Sequence, residues 1–175
     1  GDEMGLGKTI EAIAVMAHLA YGGQNAFIVV CPASIVINWV REIEKHSELK
    51  PFLVHGPSRE RAFDQWQVEG GVAITTYETI QRLKHENLDT IDLLVVDEAH
   101  YVKNPDAKRS QTIYSLTERS NNVLYLTGTP LENRLAEMVN LVGKLQPDIT
   151  KEMENSVQYI GSNTFKEKVA PVYLR

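Results

Sequence analysis

Residues 1–9 read Gly-Asp-Glu-Met-Gly-Leu-Gly-Lys-Thr, and an apolar run opening at Ile10 follows at once. Glycines let the backbone turn its N–H groups inward as a nest for anionic oxygens, and Gly5 and Gly7 stand where such a nest needs them. From there Lys8 can reach β- and γ-phosphates, and the Thr9 hydroxyl suits Mg²⁺. Ile10, Ile13, Ala14 and Ala17 repeat at helical spacing, which predicts a helix over 8–21 with its positive end toward the same phosphates. The pattern G-x-x-x-x-G-K-[ST] places its first glycine where this chain has Asp2, so only its last part is matched. Glycine turns followed by Lys-Thr also arise in ordinary connections, and the rest of the chain must decide.

Working outward, Gly22-Gly23 ends the first helix. Ala26 to Cys31 is wholly apolar, as a strand buried on both faces would be. Pro32 stops that strand, and Ser34 is placed to cap a helix carrying Val36, Trp39, Val40 and Ile43 to about His46. Phe52 to Val54 and Val72 to Ile74 predict further strands, with a poorly striped helix over 59–68 between them. A helix from Tyr77 to about Lys84 precedes Leu93 to Val96, the clearest strand. Another helix near 107–117 leads to a strand at Val123 to Leu126, and Leu135, Met138, Val139 and Val142 predict a helix closing near Gln146. Strands alternating with helices imply right-handed crossovers and an α/β fold, a mostly parallel sheet with helices on both faces. Ligands of such sheets sit at the carboxyl ends of the strands. Every polar cluster of interest here lies just after a strand.

The 175 residues suit one domain with a proper core. No run is long enough to cross a membrane, and no charged-then-apolar leader is present. Cys31 is the only cysteine, so no internal disulfide can form and a reducing, intracellular setting is expected. A net charge of −5 speaks against a protein that wraps nucleic acid with its whole surface, though not against a local phosphate-tracking face. A phosphate loop of this class follows a buried strand, yet no residue precedes Gly1 and no methionine opens the chain. The expectation is a piece of something longer, a lobe lacking its first strand.

Asp97-Glu98-Ala99-His100 follows the clearest strand directly. A carboxylate at that point can accept Mg²⁺-bound water, and a second one can orient or deprotonate the water that attacks a γ-phosphate. His100 would then lie within reach of whatever senses the phosphate. The same residues also read as an acidic cap with a solvated histidine. In the right order after a Gly-Lys-Thr loop, the two half-sites are much harder to obtain by accident. Thr127-Gly128-Thr129 ends the next strand as a loop suited to switching hydrogen bonds, or as a plain turn with Asn133 capping the final helix. The corners at Ser34 and Thr76 offer hydroxyls that hold nucleic-acid phosphates without reading bases, or that simply cap helices. Trp39 and Trp66 could stack bases, but Trp39 falls on the apolar stripe of its helix and reads as core. Lys103, Lys108 and Arg109 form a loose basic group, and the histidines show no metal-ligand spacing.

In order, DEMGLGKT, CPASIVINWVREIEK, ITTYETI, LLVVDEAH and LTGTPLEN resemble motifs I, Ia, Ib, II and III of Swi/Snf-type ATPases of helicase superfamily two. The resemblance covers residues 1 to about 145; DEAD-box RNA helicases typically carry Ser-Ala-Thr where this chain has Thr127-Gly128-Thr129. It implies a first RecA-like lobe with a three-layer P-loop fold over residues 1–146, and a tail over 147–175 leading toward a second lobe. It also implies ATP hydrolysis driving translocation along double-stranded DNA, usually without strand separation, with ATP and Mg²⁺ as ligands. Carried over by position, Gly5, Leu6, Gly7, Lys8 and Thr9 bind the triphosphate, Thr9 and Asp97 hold Mg²⁺, and Glu98 activates water. His100 with Thr127, Gly128 and Thr129 couples nucleotide state to DNA grip, and Ser34 and Thr76 contact DNA phosphates. Glu132, where glutamine is commoner, is a mild departure.

Nothing in the chain resembles motifs IV to VI, which bring the second lobe and its arginine fingers, so residues 1–175 alone are expected to hydrolyse ATP poorly. The expected partners are double-stranded DNA, the second lobe, and protein or nucleoprotein; the expected place is the nucleoid or cytoplasm of a bacterium, or a nucleus. A restriction-system motor or an RNA helicase is the rival within enzymes. An inactive lobe serving as a scaffold is the rival from outside them, though a scaffold would tolerate loss of Lys8, Asp97 or Glu98, and all three are present.

Overall fold

Five apolar or half-apolar stretches pair side by side, and the remaining elements are packed against the two faces they create. The computed structural model describes residues 6–83, 88–102, 104 and 106–126, all within one compact unit. The chain runs α1 (Leu6–Tyr21), β1 (Ala26–Cys31), α2 (Val36–His46), β2 (Pro51–Val54), α3 (Arg59–Glu69), β3 (Gly71–Thr76), α4 (Tyr77–Ile80), β4 (Ile91–Val96), α5 (Lys108–Glu118) and β5 (Ser120–Tyr125). The sheet order is β2-β3-β1-β4-β5, and every pairing is parallel. This is the predicted α/β sheet, and its central strand β1 has five of its six residues fully buried. The expected helix near Gln146, the lobe boundary there and the tail lie outside the described residues.

Each face of the sheet carries its own core. Ala12, Ile13 and Met16 of α1, with Val36, Trp39 and Ile43 of α2, cover Phe27, Val29, Cys31, Val72, Ile74, Leu93 and Val95. On the other face Phe63 and Trp66 of α3, Tyr77 and Ile80 of α4, and Ile113 and Leu116 of α5 cover Ile28, Val30, Val54, Ala73, Leu94 and Val96. Alternate residues of one strand thus feed opposite layers, as the two-residue period of a strand requires. Trp66 is 3 % exposed and its indole N–H donates to the Gly71 carbonyl at 3.0 Å, so it is a core residue and no platform for bases.

Element ends follow local chemistry. α1 stops in a Schellman arrangement, where Gly23 (φ 92°) bonds the Ala20 carbonyl and Gln24 N–H reaches back to Leu19 at 3.1 Å. α4 is shorter than predicted: after Ile80 the chain turns, and Leu83 joins the core from outside the helix. β5 begins three residues earlier than its apolar run, because Asn122 donates to the Asp92 carbonyl at 3.0 Å and the backbone pairs with β4 regardless of side-chain polarity.

The α3–β3 junction sets where β3 starts. Gly71 adopts φ 100°, donates its N–H to the Asn25 carbonyl at 2.7 Å, and a Cβ there would meet the Lys50 carbonyl oxygen at 2.5 Å. Both the backbone conformation and the backbone neighbour exclude a side chain. Gly71→Ala is therefore expected to lower unfolding free energy by about 2–3 kcal/mol in denaturant titrations, the order of a strained backbone residue; an unchanged midpoint would contradict the packing described.

Candidate active site

The parallel register brings the carboxyl ends of the three central strands level: Cys31 pairs with Thr76, and Val30 with Val96. Asp97 is the first residue beyond β4, and its N–H continues the ladder by donating to the Val30 carbonyl at 2.8 Å. Its carboxylate lies where the strand ends and the α2 helix approach one another. Oδ2 accepts the indole N–H of Trp39 at 2.8 Å, and Oδ1 accepts the Glu98 backbone N–H at 2.8 Å. The Asp97 carbonyl accepts the Tyr77 phenol at 2.5 Å.

Trp39 belongs to the core on one face of the sheet and Tyr77 to the core on the other. Asp97 is thus gripped from both sides. Burial pushes its carboxyl above the ordinary range, and the Glu98 charge adds to this; the Trp39 and Glu98 hydrogen bonds and the positive charge of Lys8 oppose it. Each carboxylate oxygen retains a second lone pair beyond the bond described.

Lys8 and Thr9 stand in the first turn of α1, Lys8 half-buried and Thr9 buried, where the helix N-terminus favours anions. A Cβ built on Gly7 would meet nothing within 4 Å. Among the described residues no packing requires glycine at that point, and the room it leaves suits a ligand that must approach the backbone closely. Gly5 lies outside the described residues, as do Thr127, Gly128 and Thr129; of Leu6 the backbone alone is described, as the first residue of α1.

Glu98 has φ 53°, the one left-handed non-glycine residue among those described. Holding an L-residue there costs about 1–2 kcal/mol, and strain of this kind concentrates at functional sites. The bend turns the chain out of the sheet, and Tyr101 N–H closes it on the Glu98 carbonyl at 2.9 Å. His100 Nδ1 then lies 3.1 Å from Glu98 Oε2, within ion-pair range when the imidazole is protonated but without the alignment of a hydrogen bond. Ala99 N–H donates to the Leu126 carbonyl at 2.8 Å, which ties the acidic turn to the residue just before Thr127.

The two corner hydroxyls differ from each other. Thr76 is 1 % exposed; its oxygen accepts the Thr79 N–H at 3.1 Å and donates to the Thr79 hydroxyl at 2.9 Å. Its geometry is that of a helix cap, and a direct phosphate contact by this side chain does not fit. Ser34 is exposed in a tight 3₁₀ turn (Ala33–Ile35), and α2 starts without a side-chain cap, so the capping expected of Ser34 is absent. Cys31 is buried beneath the site, its thiol pushed up by burial and by the Asp97 charge. Trp39 was legible as a core residue and Tyr77 only as the start of a helix, and no local signal marked their bonds to Asp97.

A sequence profile of the SNF2-related domain matches residues 1–170. The chain is 36% identical over 177 aligned residues to the ISWI chromatin-remodeling complex ATPase ISW1 of Saccharomyces cerevisiae, covering 95% of this chain and 15% of that protein. It is 35% identical to a SWI/SNF-related matrix-associated actin-dependent regulator of chromatin, subfamily A containing DEAD/H box 1, of Xenopus tropicalis, covering 94% of this chain and 17% of that one. Against Helicase SWR1 of Mycosarcoma maydis the identity is 34%, covering 95% and 9%. The chain thus spans between 9 and 17% of the length of these relatives. The Sulfolobus solfataricus SWI2/SNF2 ATPase core, solved in complex with dsDNA, superimposes with a TM-score of 0.79 at 28% identity, over 100% of this chain and 39% of that one. The parallel sheet, the acidic turn at its carboxyl end and this match over nearly the whole length agree: the chain belongs to the SNF2-related domain family, as the first RecA-like lobe of a Swi/Snf-type ATPase.

Proposed function

We propose that the chain is the ATP-binding lobe of a motor that hydrolyses ATP to move along double-stranded DNA inside the cell. The observation that carries the reading is the half-buried Asp97 carboxylate, held by hydrogen bonds at the end of β4 beside the left-handed Glu98, with the positive charge of Lys8 in the first turn of α1 favouring its ionised form. Family membership supports ATP as the nucleotide. The archaeal neighbour, an ATPase core in complex with dsDNA, supports duplex DNA as the track. The name of ISW1, a chromatin-remodeling complex ATPase, supports a nucleoprotein as what is moved.

In this reading the backbone of Gly5, Leu6 and Gly7 and the Lys8 ammonium hold the triphosphate, and the Thr9 hydroxyl and Asp97 carboxylate are the groups that would hold Mg²⁺. Among the described residues no cluster of three or more His, Cys, Asp or Glu could hold a metal by itself. Mg²⁺ takes one or two carboxylates and fills its shell with substrate phosphates and water. When bound, the ion would offset charge on the terminal phosphates. Glu98 aligns the attacking water and takes its proton as the new oxygen–γ-phosphorus bond forms and the bond to ADP breaks. His100 and Thr127 to Thr129 couple that event to the grip on DNA, through the Ala99–Leu126 hydrogen bond. Ser34, exposed at its corner, is the phosphate contact assigned to this lobe.

In the full-length protein, Glu98→Gln is expected to lower DNA-stimulated kcat by about 10²–10⁴ with nucleotide affinity kept, as loss of a general base should. Activity equal to wild type would remove the assignment. Fluorescent-nucleotide titration of Gly7→Ala is expected to show weakened binding at unchanged thermal stability, since the added methyl meets no atom of the described residues. Residues 1–175 alone are expected to turn over ATP at least about 10³-fold more slowly than the full-length protein, the scale set by missing arginine fingers. A steady-state phosphate-release assay with and without duplex DNA measures this.

A further inference from the structure

The acidic turn holds a residue in an unfavourable conformation, and a single peptide unit decides whether it stays there. That unit joins Asp97 to Glu98. Its carbonyl accepts the Tyr77 phenol at 2.5 Å, and its N–H donates to Asp97 Oδ1 at 2.8 Å. Both ends of one rigid plane are therefore gripped, and with the peptide planar this fixes Asp97 ψ and Glu98 φ together. A flip of the plane would release Glu98 from φ 53° into an ordinary backbone region, and would re-aim its carboxylate.

Tyr77 is well held for this purpose. It is 1 % exposed, and its ring stacks on Tyr101 with centroids 5.4 Å apart and planes 13° apart. Tyr101 in turn closes the bend through its N–H to the Glu98 carbonyl, and the Arg109 guanidinium covers its ring at 5.7 Å. The phenol thus reaches the turn from a fixed platform built into the layer on the α3–α5 face of the sheet.

We propose that Tyr77 is a positioning residue for ATP hydrolysis: its phenol locks the Asp97–Glu98 peptide in the bend that aims the Glu98 carboxylate at the attacking water. The inference rests on the assignment of Glu98 as the group that activates water. Tyr77 touches no substrate and acts only through the backbone of the acid pair. A hydroxyl is needed there, whereas the ring alone satisfies the packing.

The test is Tyr77→Phe in the full-length protein, beside Glu98→Gln and the double variant. Tyr77→Phe keeps the ring and its stacking and removes the one hydrogen bond. The expected result is a kcat about 10-fold lower, the order of one lost hydrogen bond, with KM for ATP and DNA affinity unchanged and the thermal midpoint lowered by no more than the loss of that one bond. In the Glu98→Gln background the same change is expected to have no further effect on the residual rate, because no carboxylate remains to be aimed. Wild-type kcat in Tyr77→Phe, with Glu98→Gln inactive, overturns the positioning role and leaves the assignment of Glu98 standing. A lower midpoint with kcat and nucleotide affinity falling together, or an equal loss in the Glu98→Gln background, makes Tyr77 merely structural and also overturns it. Full activity of Glu98→Gln overturns the catalytic reading and this inference with it.

Discussion

A carboxylate carried out of bulk water at the end of a buried strand must be hydrogen-bonded, and Asp97 shows how much structure that requirement organises. Desolvation works against its charge, and leaving such a group unpaired would cost several kcal/mol. The molecule answers with the Trp39 indole, the Glu98 backbone N–H and the field of Lys8. The Glu98 N–H is the neighbouring residue's own, whereas the Trp39 indole comes from α2, the helix that follows β1, a strand parallel to β4 and level with it at the carboxyl end. A sheet with one strand reversed would send its corner to the opposite edge.

The same residue connects the two cores. Trp39 approaches from the layer made by α1 and α2, Tyr77 from the layer made by α3, α4 and α5. Side chains that contribute hydrophobic burial in one layer therefore also determine where a charge sits at the sheet's rim. The left-handed residue that follows costs about 1–2 kcal/mol, comparable with the net worth of one or two hydrogen bonds. The bonds at Asp97 and the closure of the bend by Tyr101 are of the right size to offset it. Neither the strain nor its compensation is large. They are matched.

Much of this was readable in the chain because the fold is built from uninterrupted apolar runs. Ala26 to Cys31 and Leu93 to Val96 have no other sensible use than strands buried on both faces, and Gly23 and Pro32 mark real boundaries. Where pairing is carried by backbone and amide side chains, as at Ser120 to Asn122, composition is silent and the strand start was missed. α4 was overextended because Leu83 is buried, and burial at a helix-compatible spacing does not require a helix. Ser34 and Thr76 looked equivalent by sequence, yet one is exposed and the other is consumed by Thr79. The acid pair and the Gly-Lys-Thr turn were legible as chemistry. Trp39 was legible only as core and Tyr77 only as a helix start, since a bond across 58 or 20 positions leaves no local periodic trace.

Leu126 offers a last consequence. Its N–H donates to the Val96 carbonyl at 2.9 Å while its own carbonyl takes the Ala99 N–H at 2.8 Å, so one residue is stitched to the chain on either side of the acid pair. A pull transmitted along the backbone from Thr127 would arrive at this double stitch before reaching β5. The load would pass into the turn that carries Glu98, since the sheet behind it is held by a full ladder. Mechanically, Leu126 is a buckle: tension on one strap cannot change without being felt in the other.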